Sequence, residues 1–210
     1  MRHDPRRSTV LRMIGLAAVV AMAATGCLRA DVTTLAGDAF GGRQTGTAGG
    51  DQARTWVANR LASIAQPIRP DQTGIDGFLQ PLSSGGNVLG IIPGTDLADE
   101  YVLIGAHFDH LGTTCAGTES PRICNGATDN ATGTAAVLAL AEHVAAHPGR
   151  RSLIVALWDD EEAGHLGSKY YVAHPLIPLS KTVATVTFDI LGANIGPTGT
   201  NETFLLGGTT

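Results

Sequence analysis

The chain has 210 residues, 43% of them hydrophobic and 16% charged, enough to bury one substantial core and too apolar for an intrinsically disordered segment. One domain is the expectation. A formal net charge of −5 argues against a nucleic-acid partner.

The first 26 residues differ in kind from the rest. Arg2, Arg6, Arg7 and Arg12 precede an uncharged apolar run of 12 residues, Met13 to Ala24, and small residues then lead to Cys27. This pattern is an export signal, so residues 1–26 are set apart from the fold. The run is too short for an ordinary membrane-spanning helix, which needs about 20 residues. Ala24-Thr25-Gly26-Cys27 resembles a bacterial lipoprotein signal, in which the cysteine becomes the acylated N-terminus. The alternative is an ordinary signal peptide cut near Cys27. The expected location is the cell envelope, with the domain exported and membrane-anchored through a lipid on Cys27, facing the periplasm or the exterior. Cleavage leaves 10 basic and 18 acidic side chains, a net charge of −8.

Ala53, Trp56, Val57, Arg60, Leu61 and Ile64 recur at helical spacing, predicting a surface helix from Ala48 to Ile64, ended by Pro67 and Pro70. A loop rich in Gly, Ser and Pro follows to Gly86. Val88 to Ile92, Tyr101 to Ala106 and Leu153 to Trp158 are short apolar runs bounded by turn residues, each read as a buried strand ending near polar side chains. Cys115 and Cys124 lie between the second and third runs, and in an oxidising compartment a disulfide between them is favoured over two free thiols. Their spacing is wider than that of structural zinc knuckles. Ala131 to Ala146, with Ala135, Ala136, Val137, Leu138, Leu140 and Ala141, predicts a buried crossover helix and hence a parallel strand pair. Gly164 to Ala173 reads as a further helix, Thr182 to Phe188 as a fourth strand, and Glu202 to Leu206 as the start of another. The fold class is α/β, with a mostly parallel central sheet flanked by helices.

Four polar clusters follow these boundaries: GAHFDHLG from Gly105, NGATDNATG from Asn125, WDDEEAGHLGS from Trp158 and TFDILG from Thr187. Ligands bind beyond the carboxyl ends of the strands in such sheets. Imidazole and carboxylate are the donors that zinc accepts. Four acids crowded at Asp159 to Glu162 repel one another unless a cation neutralises them. Asp129 also has the residue type of a helix N-cap. No G-x-S-x-G elbow and no H-E-x-x-H helix is present.

Together with LAGDAFGGRQTGTAGG ahead of them, the clusters resemble the zinc aminopeptidases of peptidase clan MH, a group that includes glutamate carboxypeptidases and glutaminyl cyclases. The likeness runs from Leu35 to Gly192. It implies a zinc exopeptidase fold and a co-catalytic pair of zinc ions acting on peptides with a free N-terminus. His107, Asp129 and Asp189 would hold the first zinc, with Asp129 bridging to a second held by Glu162. Asp109 would orient His107, and Glu161 would be the general base. His110, His143, His147, His165 and His174 have no matching metal role. The resemblance also implies a downstream histidine for the second zinc, but no histidine follows His174. Residues 27–210 are therefore expected to be a catalytic domain lacking its C-terminal part and the second-site histidine. A glutaminyl cyclase-like acyltransferase and a non-catalytic remnant or envelope binding protein are the competing expectations.

Overall fold

The computed structural model describes residues 27–115 and 122–193. The expected signal at 1–26 and the strand expected at Glu202 to Leu206 lie outside them. A first helix, α1, covers residues 27–35, with Cys27 exposed as a free thiol at its start. Among the described residues no helix is long and apolar enough to cross a membrane.

Helix α2 spans Ala48–Ala62. Thr47 precedes it in an extended conformation and accepts the Gly50 amide on its hydroxyl, satisfying one of the free N–H groups of the first turn. Asp51 in the first turn and Arg60 in the last complement the helix dipole. Ala53, Val57, Ala58 and Leu61 form its buried stripe. The helix stops at Ala62, before either proline, and Pro67 belongs to a short strand, β1 (Gln66–Pro67).

The remaining strands are β2 (Leu79–Pro81), β3 (Gly86–Ile92), β4 (Leu97–His107), β5 (Arg151–Trp158) and β6 (Thr182–Thr187). They make one sheet in the order β1-β3-β5-β4-β6, with β2 also on β3. β4 is parallel to β5 and to β6, whereas β3 is antiparallel to β5, β1 and β2. The sheet is thus mixed, and the expectation that each apolar run ends at the polar side fails for β3: its first residues lie there, and Ile92 lies at the far end. The reason is the connection. Only residues 93–96 join β3 to β4, too few for the crossover of a dozen or more that a parallel arrangement needs.

Between β4 and β5 the chain does make such a crossover through helix α3 (Thr132–Ala146). Its buried side carries Ala135, Val137, Leu138 and Ala141, while Leu140, expected inside, is exposed. Alternate residues of β5 serve two cores. Leu153, Val155 and Leu157 pack with α2 and α3, and Ile154, Ala156 and Trp158 pack on the other face with Tyr171. Tyr171 belongs to helix α4 (Leu166–Ala173), whose start lies two residues past the expected one. Covering both faces keeps β4 and β5 rigid, and their shared C-terminal ends carry the polar clusters.

Candidate metal centre

Parallel register brings three strand ends together. His107, the last residue of β4, pairs with Trp158, the last of β5, and Gly105 pairs with Thr187, the last of β6. The acids after β5 and Asp189 after β6 therefore emerge beside His107. Asp129 arrives from the turn ahead of α3. The neighbouring Asn130, not Asp129, caps that helix: its Oδ1 accepts the Gly133 amide at 3.0 Å, and its Nδ2 donates to the Phe188 carbonyl. Asp129 is left free to face the imidazole.

His107 is buried, at 3% exposure. Its Nδ1 lies 3.2 Å from the Asp109 carbonyl and 3.5 Å from Asp109 Oδ1. Asp109 Oδ2 also accepts the Glu162 amide at 3.3 Å, so this buried carboxylate ties the imidazole to the acidic turn. On the opposite side, Nε2 faces Asp129 Oδ1 at 3.1 Å, Asp189 Oδ1 at 3.4 Å and Glu161 Oε2 at 3.8 Å. None of these oxygens meets it in hydrogen-bonding geometry, so the buried Nε2 has ion-pair neighbours but no hydrogen bond. Burial works against its protonation, but Asp109, Asp129 and Glu161 outweigh it and push the His107 pKa up to about 11. The His107 imidazolium in turn holds Asp129 below the usual carboxylate range.

The four crowded acids divide their work. Asp159 turns inward, accepting from the Thr45 hydroxyl at 2.7 Å and the Gly86 amide at 2.9 Å, and burial raises its pKa. Asp160 accepts from the Ser84 hydroxyl. Glu161 and Glu162 point into the site and diverge, as adjacent side chains leaving a strand do. Glu161 Oε1 lies 2.6 Å from His165 Nδ1, and Glu162 Oε1 lies 2.6 Å from His110 Nδ1. Burial raises the Glu162 pKa, and the charge of Asp129 adds to that.

The arrangement fits a cation. Three sets of donors each lie within 4.8 Å of one another: His107 with Asp129 and Asp189, His107 with Glu161 and Glu162, and His110 with Asp129 and Glu162. An imidazole nitrogen ringed by carboxylates, with its other nitrogen on the Asp109 backbone carbonyl and the Asp109 carboxylate 3.5 Å away, suits a metal ligand with an orienting neighbour. The site opens outward, since Asp129 and Asp189 have side-chain exposures of 40% and 49%.

The six residues singled out from the sequence, His107, Asp109, Asp129, Glu161, Glu162 and Asp189, thus come together around one point. His110 and His165, given no metal role, stand at its edge. His143 and His147 stack on each other and His174 stacks on Tyr170, apart from these carboxylates. Cys115 and Cys124 form a disulfide with Cα atoms 5.7 Å apart. With His110, Leu111, Arg122, Ile123 and Asn125 they line a cavity of about 510 Å³ next to the centre.

Arg43 is the residue sequence reasoning passed over. Fully buried, it donates to the carbonyls of Phe108 at 2.7 Å, Asn125 at 2.8 Å, Gly126 at 3.0 Å and Leu35. Its guanidinium therefore clamps the loop between His107 and Asp109 to the turn that leads to Asp129. Burial lowers its pKa to about 10, opposed by Asp109, Asp129 and Glu162, so it stays charged at neutral pH. Gly42 beside it has φ +78°, and a Cβ there would lie 2.2 Å from the Gly112 carbonyl oxygen, which explains glycine in this close backbone approach.

The profile of peptidase family M28 matches residues 87–204, more than half of the chain. The chain belongs to peptidase family M28. Among similar proteins, a probable zinc metalloprotease of Pyrenophora tritici-repentis (strain Pt-1C-BFP) is 28% identical over 194 residues, which cover 85% of the M28 chain and 39% of the relative. Leupeptin-inactivating enzyme 1 of Streptomyces exfoliatus is 31% identical over 169 residues, covering 77% of this chain and 34% of its own. The M28 chain thus spans well under half the length of these relatives. In solved structures the fold recurs in the glutaminyl cyclase of Bacteroides thetaiotaomicron, with TM-score 0.63, 19% identity and coverage of 81% of this chain and 63% of that one. It recurs also in the LapA aminopeptidase of Legionella pneumophila, with TM-score 0.58, 19% identity and coverage of 79% and 42%.

Proposed function

We propose that this M28 chain carries the catalytic centre of a zinc-dependent exopeptidase, an aminopeptidase that removes N-terminal residues from peptides. The observation that carries the reading is His107 Nε2, buried without a hydrogen bond and ringed by Asp129, Asp189 and Glu161. His107, Asp129 and Asp189 would hold one zinc ion, and Asp129 and Glu162 would reach a second. Bound there, zinc supplies Lewis acidity, polarising a peptide carbonyl and lowering the pKa of a water molecule.

The protein's own groups do the rest. Asp109 occupies the Nδ1 side of His107 and so keeps the Nε2 lone pair directed at the site. Glu161, held through Oε1 by His165, turns Oε2 toward the reacting position, where it takes a proton from the attacking water and returns it to the leaving amine. The cavity beside His110 offers room for the substrate chain.

The test is hydrolysis of aminoacyl reporters by zinc-loaded protein, compared with N-acetylated reporters and with Glu161→Gln. Cleavage only of free-amine reporters, lost in E161Q, supports the aminopeptidase. Pyroglutamate formation from an N-terminal glutamine peptide would favour the cyclase instead, and no turnover with zinc bound would favour a binding protein. We propose also that the mature protein begins at Cys27, lipid-anchored to the envelope. The Ala24-Thr25-Gly26-Cys27 pattern supports this, and the mass of the N-terminal peptide from envelope-derived protein tests it.

A further inference from the structure

We propose that His165 is a positioning residue for Glu161: it occupies one carboxylate oxygen and leaves the other as the proton acceptor, so that Glu161 serves as the base and not as a further metal ligand. The inference rests on the exopeptidase reading above and deepens it by giving a task to a histidine that the family resemblance leaves without a metal role.

Three observations carry it. First, the two oxygens of Glu161 are unlike. Oε1 lies 2.6 Å from His165 Nδ1, whereas Oε2 faces His107 Nε2 at 3.8 Å. Two lone-pair atoms as close as Oε1 and Nδ1 repel unless a proton lies between them, so Nδ1 carries one. Second, Glu161 is open to capture, since with His107 and Glu162 it forms one of the donor sets able to hold a metal. A carboxylate whose Oε1 is occupied by an imidazole cannot turn both oxygens onto a cation. Third, the ring is presented by a strained backbone. His165 has φ +60°, the left-handed region that a residue with a side chain enters at a cost and glycine enters freely. Its amide donates to the Glu161 carbonyl at 2.7 Å, and its carbonyl accepts the Lys169 amide at 3.0 Å. The turn thus folds residue 165 back over residue 161 and fixes it at the start of α4. A strained position occupied by an imidazole, where glycine would sit without strain, points to a task for the side chain.

The test compares wild type, His165→Gly and His165→Asn as whole, zinc-loaded chains, by turnover of a free-amine aminoacyl reporter and by zinc affinity in competition with a chelating dye. Glycine keeps the left-handed turn and removes the ring, while asparagine tolerates the turn and keeps an N–H donor near the Nδ1 position. The Tm of H165G is expected to rise by about 2–8 °C, which shows its fold intact. Its kcat is expected to fall by about 10- to 100-fold with KM within about threefold of wild type, and its zinc affinity to hold or rise. H165N is expected to recover most of the lost kcat. A kcat in H165G within about threefold of wild type overturns the proposal, as does an H165N as slow as H165G. A fall in kcat matched by weaker zinc binding also overturns it, because His165 would then support the metal site and not the base. In metal-free protein at alkaline pH, nitrogen NMR should find His165 protonated on Nδ1, and Glu161→Ala should move that proton to Nε2. An unprotonated Nδ1 in the wild type overturns the pairing whatever the activity. A wild type that binds zinc and turns over no reporter brings down the exopeptidase reading and this role with it, a failure told apart from the others because the NMR signature of the pair persists.

Discussion

Replacing Arg43 by methionine removes a buried cation and its hydrogen bonds to the carbonyls of Leu35, Phe108, Asn125 and Gly126, of which Gly126 keeps the Ala131 amide as a second donor. A hydrogen bond to a charged group contributes about 1.5–3 kcal/mol, and a buried carbonyl left unpaired costs about 1–3 kcal/mol. Simple addition overcounts, because the charged guanidinium was itself desolvated at 1% exposure and the methionine recovers some packing. A net loss of about 4 kcal/mol is expected. For a chain of this size that corresponds to a fall in Tm of about 8–16 °C. The assay is urea unfolding of metal-free protein followed by circular dichroism, with Arg43→Lys in parallel. Lysine keeps the charge but reaches fewer carbonyls, so R43K should fall between. A loss below about 1 kcal/mol in R43M would refute the clamp.

Glu161→Gln should lower hydrolysis by about 10²- to 10⁴-fold while leaving metal stoichiometry unchanged, since it removes a proton acceptor and keeps the shape; kinetics beside a metal count check this. Asp109→Asn should weaken metal binding about 10- to 100-fold, read by competition with a chelating dye, because the His107 ring loses the negative charge beside Nδ1 while keeping the Asp109 backbone carbonyl. Gly126→Ala should destabilise the fold by about 1–3 kcal/mol, as residue 126 has φ +54° and a Cβ would lie 2.4 Å from the Asp129 carbonyl oxygen. The raised pKa of His107, about 11 without metal, gives a pH dependence. Its proton stabilises the metal-free fold fully below the unfolded value of about 6.5, and that contribution is lost as pH rises toward 11. Metal must displace the same proton, so affinity should rise with pH between 6 and 9, with proton release visible by calorimetry in two buffers; pH-independent affinity would contradict it.

Much of the site was legible because its parts are local. His107, Glu161, Glu162 and Asp189 each follow an apolar run at a strand end, and parallel register alone then gathers them. Asp129 was legible through the motif ahead of α3, but its cap role belongs to Asn130, a distinction that turns on backbone conformation and not on residue type. Arg43 was hidden because its four acceptors are carbonyls, which leave no mark in a sequence. His110 was passed over because its contact with Glu162 joins the loop after β4 to the turn after β5, 52 positions apart. The direction of β3 follows from the short link to β4, and β1 and β2 are two and three residues long, too short to show a pattern.

Asp109, Asp129, Glu161 and Asp189 converge on His107, Glu162 pairs with His110 and Glu161 with His165, and Arg43 is the built-in cation behind them. The most direct measurement is anomalous diffraction at the zinc absorption edge from crystals of zinc-loaded protein. A peak about 2.1 Å from His107 Nε2, shared with Asp129 and Asp189, is the result predicted. A zinc-loaded crystal with no peak there, or with His107 Nε2 facing only solvent or protein, would contradict it.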